Sequence, residues 1–352
     1  MVKNLFIFII SVTFLLGISN CKAISSEEKS LNITEQTSKQ DQAIAGTPAS
    51  PEQTAKPEEQ QVAKPKERVK IVKGKDGKPE EWHYWVGKIR VKVGYDTNKD
   101  GNEDVWQTLD KQGKITKVER DSNYDGKADI WQYLTEGELE KAEADQDFDG
   151  KIDRIQYFKN GKIVKEEIDS NKNGKIDTWS YFNENGKVAE INADTNEDGI
   201  IDRKQFYGPN QELARIEIDR NKDKKSDLFE FYEKGERTRI EVDNNFDGKI
   251  DEWDSLRNNS LVKRALDENK DGKPDRWEYY EGKYILKVEE DSNKDGRIGS
   301  WEYYKNGRLS RRGKDTNKDG KVDKWEYYEG DRLVKTEEDT DGDGKPDTTA
   351  LY

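Results

Sequence analysis

Aromatic and polar residues alternate in short segments along most of this chain. In these segments a Trp and a Tyr stand two positions apart, with Gln, Glu or Ser between them. The pairs are Trp131 and Tyr133, Trp179 and Tyr181, Trp277 and Tyr279, Trp301 and Tyr303, and Trp325 and Tyr327. Because alternate side chains of a β-strand point to the same face, each segment predicts a strand with its Trp/Tyr pair on one face.

A turn signal follows these segments. Asn-Gly occurs at residues 160–161, 185–186 and 306–307, and Asn-Gly between two alternating runs is the strongest short-range signal for a β-hairpin. A second alternating run, such as residues 213–218, then leads directly into an acidic cluster. Each unit is therefore predicted to be one hairpin.

The acidic clusters recur at a spacing of 24 or 25 residues. They begin at Asp96, Asp121, Asp145, Asp169, Asp194, Asp219, Asp243, Asp267, Asp291, Asp315 and Asp339. Self-similarity at a fixed period indicates a repeat architecture in which each unit buries its surface against its neighbours. The fold class predicted for residues 96–352 is all-β, an elongated array of eleven hairpin units, with the last unit truncated.

Residues 71–95 form a degenerate copy of the unit. They keep Asp76 and Trp82, but Val72 and Gly74 stand where the first two oxygen-bearing residues of the cluster are expected. An exposed sheet edge invites aggregation, so this segment is predicted to be a cap that binds no ion.

Each acidic cluster has the pattern Asp-x-Asn/Asp-x-Asp-Gly-x-x-Asp, which resembles the first nine residues of the EF-hand calcium loop. In that family, side-chain oxygens at the first, third and fifth positions meet the ion, Gly at the sixth permits a sharp turn, and the ninth acts directly or through water. One such match is a weak signal, whereas eleven in phase are strong.

The resemblance implies calcium ligands at the first, third, fifth and ninth positions of the loops. The implied ligands are Asp96, Asn98, Asp100, Asp104, Asp121, Asn123, Asp125, Asp129, Asp145, Asp147, Asp149, Asp153, Asp169, Asn171, Asn173, Asp177, Asp194, Asn196, Asp198, Asp202, Asp219, Asn221, Asp223, Asp227, Asp243, Asn245, Asp247, Asp251, Asp267, Asn269, Asp271, Asp275, Asp291, Asn293, Asp295, Asp315, Asn317, Asp319, Asp323, Asp339, Asp341, Asp343 and Asp347.

The resemblance ends outside the loop. The segments that should be EF-hand helices contain alternating aromatic residues and repeated Gly, which suit strands and turns. Most units also lack the bidentate Glu of the twelfth position, which occurs only as Glu230, Glu278, Glu302 and Glu326. Weak, extracellular-type affinity, roughly 10⁻⁴ to 10⁻³ M, is therefore expected.

Three loops depart from the pattern and are predicted to be the weakest sites. Lys224 replaces the turn Gly, Asn173 removes one charge, and Gly299 removes the ninth-position oxygen. The alternative to ion binding is that Asp, Asn and Gly simply make good turns. That explanation accounts for any single loop, but not for three or four carboxylates in most of the units, which would repel one another without a cation.

Composition restricts the function further. Of the 352 residues 31% are hydrophobic and 39% are charged, the net charge is −13, and there is no basic block for nucleic acid. The chain has one His and one Cys, which excludes an internal disulfide and disfavours most His- or thiol-based catalysis. We expect no enzymatic activity and no nucleic-acid partner.

The N-terminus has the features of an export signal. Residues 1–20 combine a basic start with an apolar run that is short for a membrane span. The segment that ends in Cys21 resembles the relaxed, spirochaete-type lipobox of bacterial lipoproteins, which implies a lipid anchor at Cys21 and a place in the cell envelope, at the outer membrane or surface. An ordinary secretory signal with an incidental Cys is the alternative. Residues 21–70 have the composition of a solvated tether.

Two functions remain open on the sequence. The first is a calcium-stabilised, lipid-anchored scaffold or adhesin-like module with a protein or glycan partner, and the second is a calcium buffer or sensor of the envelope. The Trp/Tyr pairs either form a thin core between neighbouring units, which we favour because little else can be buried, or offer an exposed stacking platform.

Overall fold

A computed structural model describes residues 67–352 as strands joined by turns and loops, and these described residues contain no helix. The predicted all-β class is confirmed. The strands are β1 (Glu67–Lys73), β2 (Pro79–Val86), β3 (Ile89–Tyr95), β4 (Val105–Leu109), β5 (Ile115–Arg120), β6 (Ile130–Thr135), β7 (Glu138–Ala144), β8 (Arg154–Lys159), β9 (Lys162–Ile168), β10 (Thr178–Phe182), β11 (Val188–Ala193), β12 (Arg203–Tyr207), β13 (Leu213–Ile218), β14 (Leu228–Glu233), β15 (Glu236–Val242), β16 (Glu252–Arg257), β17 (Ser260–Leu266), β18 (Arg276–Glu281), β19 (Tyr284–Glu290), β20 (Ser300–Lys305), β21 (Arg308–Lys314), β22 (Lys324–Glu329), β23 (Arg332–Glu338) and β24 (Thr348–Leu351).

All 24 strands belong to one sheet in which each strand pairs antiparallel with its neighbours in sequence. Among the described strands, contacts form only between such neighbours, so the sheet is a single layer that does not fold back on itself. β1 and β24 each pair on one side only. At about 4.8 Å per strand the sheet extends roughly 110 Å, which confirms an elongated hairpin array.

The two long edges of the sheet differ in their connections. From β3 onward, the acidic loops join each odd-numbered strand to the next even-numbered strand, so all eleven lie at the same ends of the strands, along one side of the sheet that we call the loop edge. Tight hairpin turns such as Asn160-Gly161 lie along the other, the turn edge. Because one repeat spans two strands, successive acidic loops are spaced about 10 Å apart.

The two faces of the sheet follow from the strand register. Trp131 pairs with Glu119 and Glu143, and Tyr133 pairs with Lys117 and Lys141, so these side chains share one face. We call it the ring face. A β-bulge follows the equivalent residue of each hairpin that closes at the turn edge, between Tyr133 and Leu134 in this one. That residue is Tyr in most of these hairpins and Thr108, Phe206, Phe231 or Ser255 in the others. The bulge shifts the alternation near the turn edge.

Few apolar side chains are fully buried, because a single layer has no interior between sheets. Ala142, Ile216 and Val288 are nearly inaccessible and lie on the face opposite the rings, between the long side chains of neighbouring strands. The rings themselves are mostly half-buried on their own face. They thus bury against neighbouring strands, but on a face of the sheet and not between two layers.

The first unit differs from the others at its start. β1 begins at Glu67, inside the segment expected to be tether, because residues 67–73 pair with β2. The connection after β1 is shorter than an acidic loop, and Asp76 is the only Asp that accepts a backbone hydrogen bond there. Residues 1–66, with the expected signal, Cys21 and most of the tether, lie outside the described residues. No helix long and apolar enough to cross a membrane occurs in the described part of the chain.

Candidate metal sites along the loop edge

The first Asp of each acidic loop organises the loop around its carboxylate. In all eleven loops its Oδ2 accepts a hydrogen bond from the backbone N–H of the sixth residue, at 2.6–2.8 Å. This bond needs the chain to turn through left-handed conformations at the fourth and sixth residues, as at Tyr124 (φ 63°) and Gly126 (φ 90°). Gly tolerates that conformation without strain, which explains its place at the sixth position.

The ninth Asp closes the loop from its other end. In nine loops its Oδ2 accepts the backbone N–H of the second residue at 2.6–3.0 Å. In a tenth loop Asp275 accepts the N–H of Asn269, the third residue. Where Gly299 replaces the ninth Asp, this contact is lost, as the sequence indicates.

The third and fifth residues make smaller turns within the loop. In all eleven loops the third residue accepts the N–H of the fifth. The fifth accepts the N–H of the seventh. All fifth-position residues are exposed, whereas the first and ninth are buried in most loops. Of the four predicted ligand positions, the first and ninth thus lie inside the loop, and the third and fifth lie at its outer surface.

The carboxylates of three loops converge closely enough to share one ion. Oxygens of Asp145, Asp147 and Asp153 lie within 4.8 Å of one another, as do those of two further groups, Asp315, Asp319 and Asp323, and Asp339, Asp341 and Asp347. A carboxylate has about four lone-pair positions, so an oxygen that accepts one N–H can still bind a cation. The donor set fits a hard, oxygen-preferring ion.

The other eight loops do not bring three carboxylates together at this distance. All eight carry Asn at the third position, and its amide oxygen would have to supply a further donor. The loop at 169–177 has only two carboxylates, and the loop at 291–299 lacks its ninth oxygen. Ligand geometry therefore separates loops that the sequence pattern treats as nearly equal.

The twelfth-position carboxylates form their hydrogen bonds and ion pairs with residues of the strands and not with residues of the loops. Glu278 accepts a hydrogen bond from Tyr280 and pairs with Arg276, and Glu302 pairs with Arg312. Asp254, the twelfth residue of its unit, accepts hydrogen bonds from Arg264 Nε and Nη2 at 2.8 and 2.9 Å. The candidate ion site is thus limited to the nine loop residues.

The sequence pattern did not identify several residues that contribute to these sites. The second residue is Ser or Thr in seven loops. In six of them its hydroxyl donates to the ninth Asp, as Ser122 does to Asp129 at 2.8 Å. The fourth residue can reach the preceding loop: Lys222 Nζ lies 3.0 Å from Asp198 Oδ2. Glu197 accepts hydrogen bonds from Asn171 and Asn173 at 2.9 and 3.0 Å. The contacts of Lys222 and Glu197 join residues one repeat apart, so the pattern within a single loop does not predict them.

These contacts affect ionisation at the outer positions. The Lys222 ammonium lowers the pKa of Asp198, and the N–H groups of Lys151 and its ammonium lower that of Asp149. For the buried Asp323, burial alone would raise the pKa, but the N–H groups of Thr316 and Asn317 outweigh it and the pKa is lowered. These carboxylates therefore stay charged at neutral pH, which a metal site requires.

The ring face carries its own ladder of charges and rings. Lys141 Nζ lies 5.6 Å and 5.9 Å from the ring centroids of Tyr133 and Tyr157, on either side of it. The Tyr133 hydroxyl donates to Glu143 at 2.8 Å, and Glu143 also pairs with Lys141. Similar groups of Lys, Tyr and Glu recur along the sheet, and their Lys ammonium groups cover ring faces that a stacking ligand would need.

Comparisons with known proteins give no family. No protein-family model matches the chain, and no curated protein does. Solved structures with some similarity include the Photorhabdus luminescens Tc holotoxin pore (11% identity, 75% of this chain and 15% of that chain, TM-score 0.21), the TcdB2-TccC3-TEV structure (13%, 77% and 15%, 0.18) and the GtfA/B complex (16%, 49% and 20%, 0.12). The chain spans a fifth or less of their length, and at these TM-scores the similarities carry no argument.

Proposed function

We propose that this protein is a calcium-stabilised scaffold, anchored by lipid at Cys21 in a bacterial cell envelope, at the outer membrane or surface. The observation that carries the proposal is the alignment of eleven carboxylate loops on one edge of a single-layer sheet. A sheet without an interior gains little from apolar burial, so cations bound along the loop edge would contribute substantially to its stability.

Calcium is the ion that the donor chemistry favours. The oxygens of the loops belong to carboxylates, amides, hydroxyls and the backbone, and calcium accepts six to eight oxygen ligands in irregular geometry, whereas magnesium requires a near-ideal octahedron. Zinc prefers nitrogen and sulfur ligands, and none of the loops contains His or Cys. Up to about eleven ions per chain follow from the loop count, with the three convergent loops as the strongest sites.

Calcium titration of the full chain tests this proposal. We expect Ca²⁺ between about 0.1 and 10 mM to raise the thermal unfolding temperature and to slow amide exchange in the loops, since ten times Kd stabilises by about 1.4 kcal/mol per site. Magnesium at equal concentration is the ion control. Asp145→Asn should weaken the response of its own loop, whereas Asp331→Asn, an equal change of charge at the turn edge, should not. Unchanged stability and exchange across the titration would refute calcium binding.

The same titration separates the scaffold from a calcium buffer or sensor. Each loop lies between strands of fixed register, so saturation should stiffen the array without changing strand pairing. A scaffold would show loop protection with constant circular dichroism, and a graded conformational transition would support sensing. We further propose that the scaffold is not an enzyme and that its partner is a protein or glycan.

A further inference from the structure

The sixth acidic loop, residues 219–227, differs from the other ten in charge. It contains three Asp, but it also contains Arg220, Lys222, Lys224 and Lys225, and it is the only one of the eleven with more basic than acidic residues. Its backbone nevertheless has the common form, since Lys224 donates its N–H to Asp219 Oδ2 at 2.8 Å. The loop keeps its shape although its charge is reversed.

Arg220 contacts the buried carboxylate of this loop. Its backbone N–H donates to Asp227 Oδ2 at 2.8 Å, and its side-chain Nε pairs with Asp227 Oδ1. Asp227 is only 3% exposed. A guanidinium is a permanent cation that forms strong charge-assisted hydrogen bonds with a carboxylate. The negative charge of Asp227 is therefore compensated within the loop.

Arg220 also joins the sixth loop to the seventh. Its Nη2 donates to the backbone carbonyl of Asp243 at 2.9 Å, and its guanidinium lies 5.4 Å from the ring centroid of Phe246. Asp243 is the first residue of the next acidic loop. The same side chain thus neutralises one loop and holds the adjacent one.

The equivalent residue of other loops cannot do this. Ser122 and Ser170 occupy the same second position, and their hydroxyls donate to Asp129 and Asp177 at 2.8 and 2.9 Å. A hydroxyl satisfies one lone pair but leaves the negative charge in place, so those loops still attract a cation. The second residue therefore determines whether a cation of the loop itself lies against the ninth Asp.

We infer that Arg220 is the built-in cation of the sixth loop, so that this loop excludes calcium and forms a calcium-independent junction in the array. Five acidic loops precede it and five follow it. This inference rests on the proposed function, because it assigns calcium to loops on both sides. In the absence of calcium, residues 219–227 and their link to Asp243 remain ordered while the flanking loops loosen.

Hydrogen exchange of the full chain, read loop by loop in EDTA and in saturating Ca²⁺, tests the inference. In the unaltered chain, exchange at residues 219–227 should be slow in both conditions, whereas exchange at 121–129 should slow only with Ca²⁺. Arg220→Ser should speed exchange at 219–227 in EDTA by at least about tenfold, the effect of losing a charge-assisted bond to a buried group. Arg220→Ser combined with Lys224→Gly should then make exchange there respond to Ca²⁺.

A reciprocal variant provides the matched control. Ser122→Arg should make residues 121–129 slow to exchange in EDTA and insensitive to Ca²⁺. The inference is overturned if Ca²⁺ slows exchange at 219–227 in the unaltered chain as strongly as at 121–129, or if Arg220→Ser leaves exchange in EDTA unchanged. If Ca²⁺ slows exchange in none of the loops, the proposed function fails, and the EDTA comparison still decides the role of Arg220.

Discussion

The chain reverses direction at both edges of the sheet, but the connections at the two edges differ in length and charge. On the turn edge, Asn160 and Gly161 reverse the chain in left-handed conformations, with φ of 52° and 71°, and bury no charge. On the loop edge, nine residues make each connection, and most of them bury two carboxylates. A hairpin connection needs only two residues. The length and charge of the loops therefore exceed what chain reversal requires, and their acidic groups could hold metal ions.

The largest difference between the edges should appear when a carboxylate is removed from each. Asp121 accepts N–H bonds from Tyr124, Asp125 and Gly126 at 2.6, 3.2 and 2.7 Å while buried, so Asp121→Ala should lower the free energy of unfolding by about 3 kcal/mol. At the turn edge, Asp110 accepts two N–H bonds while accessible to solvent, so Asp110→Ala should lower it by only about 1 kcal/mol.

Chemical denaturation in EDTA measures both losses without a metal contribution. Similar losses for the two variants would mean that the loop carboxylates are ordinary turn residues. A loss for Asp121→Ala that Ca²⁺ restores only in part would sharpen the contrast, because the variant also lacks a ligand.

Alkaline pH should destabilise the strands between the two edges without changing the charge of the loop carboxylates. Burial, followed by hydrogen bonds to Glu143 and Glu289, raises the pKa of Tyr133 and Tyr279 from 10 to about 12. The folded chain therefore holds these protons more tightly than the unfolded chain. Their stabilisation is complete below pH 10 and is lost as the pH rises through about 12.

Circular dichroism and tyrosinate absorbance should therefore change together between about pH 10 and 12. Tyr279→Phe removes one of these protons and should make the transition shallower. Tyrosinate that forms near pH 10 with the strands intact would contradict the assigned hydrogen bonds.

The sequence predicted the turns and loops of each repeat better than it predicted the contacts between neighbouring repeats. Period-two alternation and Asn-Gly fixed the hairpins, and the acidic pattern located every loop, because both signals lie within a few residues. The division of ligands into buried first and ninth positions and exposed fifth positions was not predicted, since burial depends on neighbouring strands. The reach of Lys222 to Asp198 and of Arg220 to Asp243 also escaped prediction, because strand register brings these residues together.

A smaller effect is expected at the sixth position of the sixth loop. This position needs a left-handed conformation, as the turns on the other edge do. Lys224 has φ of 74°, a conformation that costs a non-glycine residue about 1 kcal/mol, so Lys224→Gly should raise the stability of the sheet by about that amount. Lys225→Gly removes the same charge at a residue without positive φ and should stabilise nothing. Equal effects of the two variants in EDTA would show that charge, and not backbone strain, limits this loop.

The smallest expected effect compares two lysines of β9. Lys165 Nζ lies 5.5 and 5.8 Å from the ring centroids of Tyr157 and Tyr181 and 2.6 Å from Glu167 Oε1. Lys165→Met, which keeps an unbranched apolar stem, should therefore cost about 0.5–1 kcal/mol in lost cation–π attraction and ion pairing. Lys162 lies at the turn edge, where its exposed ammonium donates to the Glu184 carbonyl, so Lys162→Met should cost less than about 0.5 kcal/mol. Denaturation at moderate ionic strength measures both, because salt weakens exposed contacts more than half-buried ones. If Lys162→Met cost as much as Lys165→Met, the ring face would contribute no more to stability than an ordinary charged surface, and the stability of the array would have to come from its loop edge.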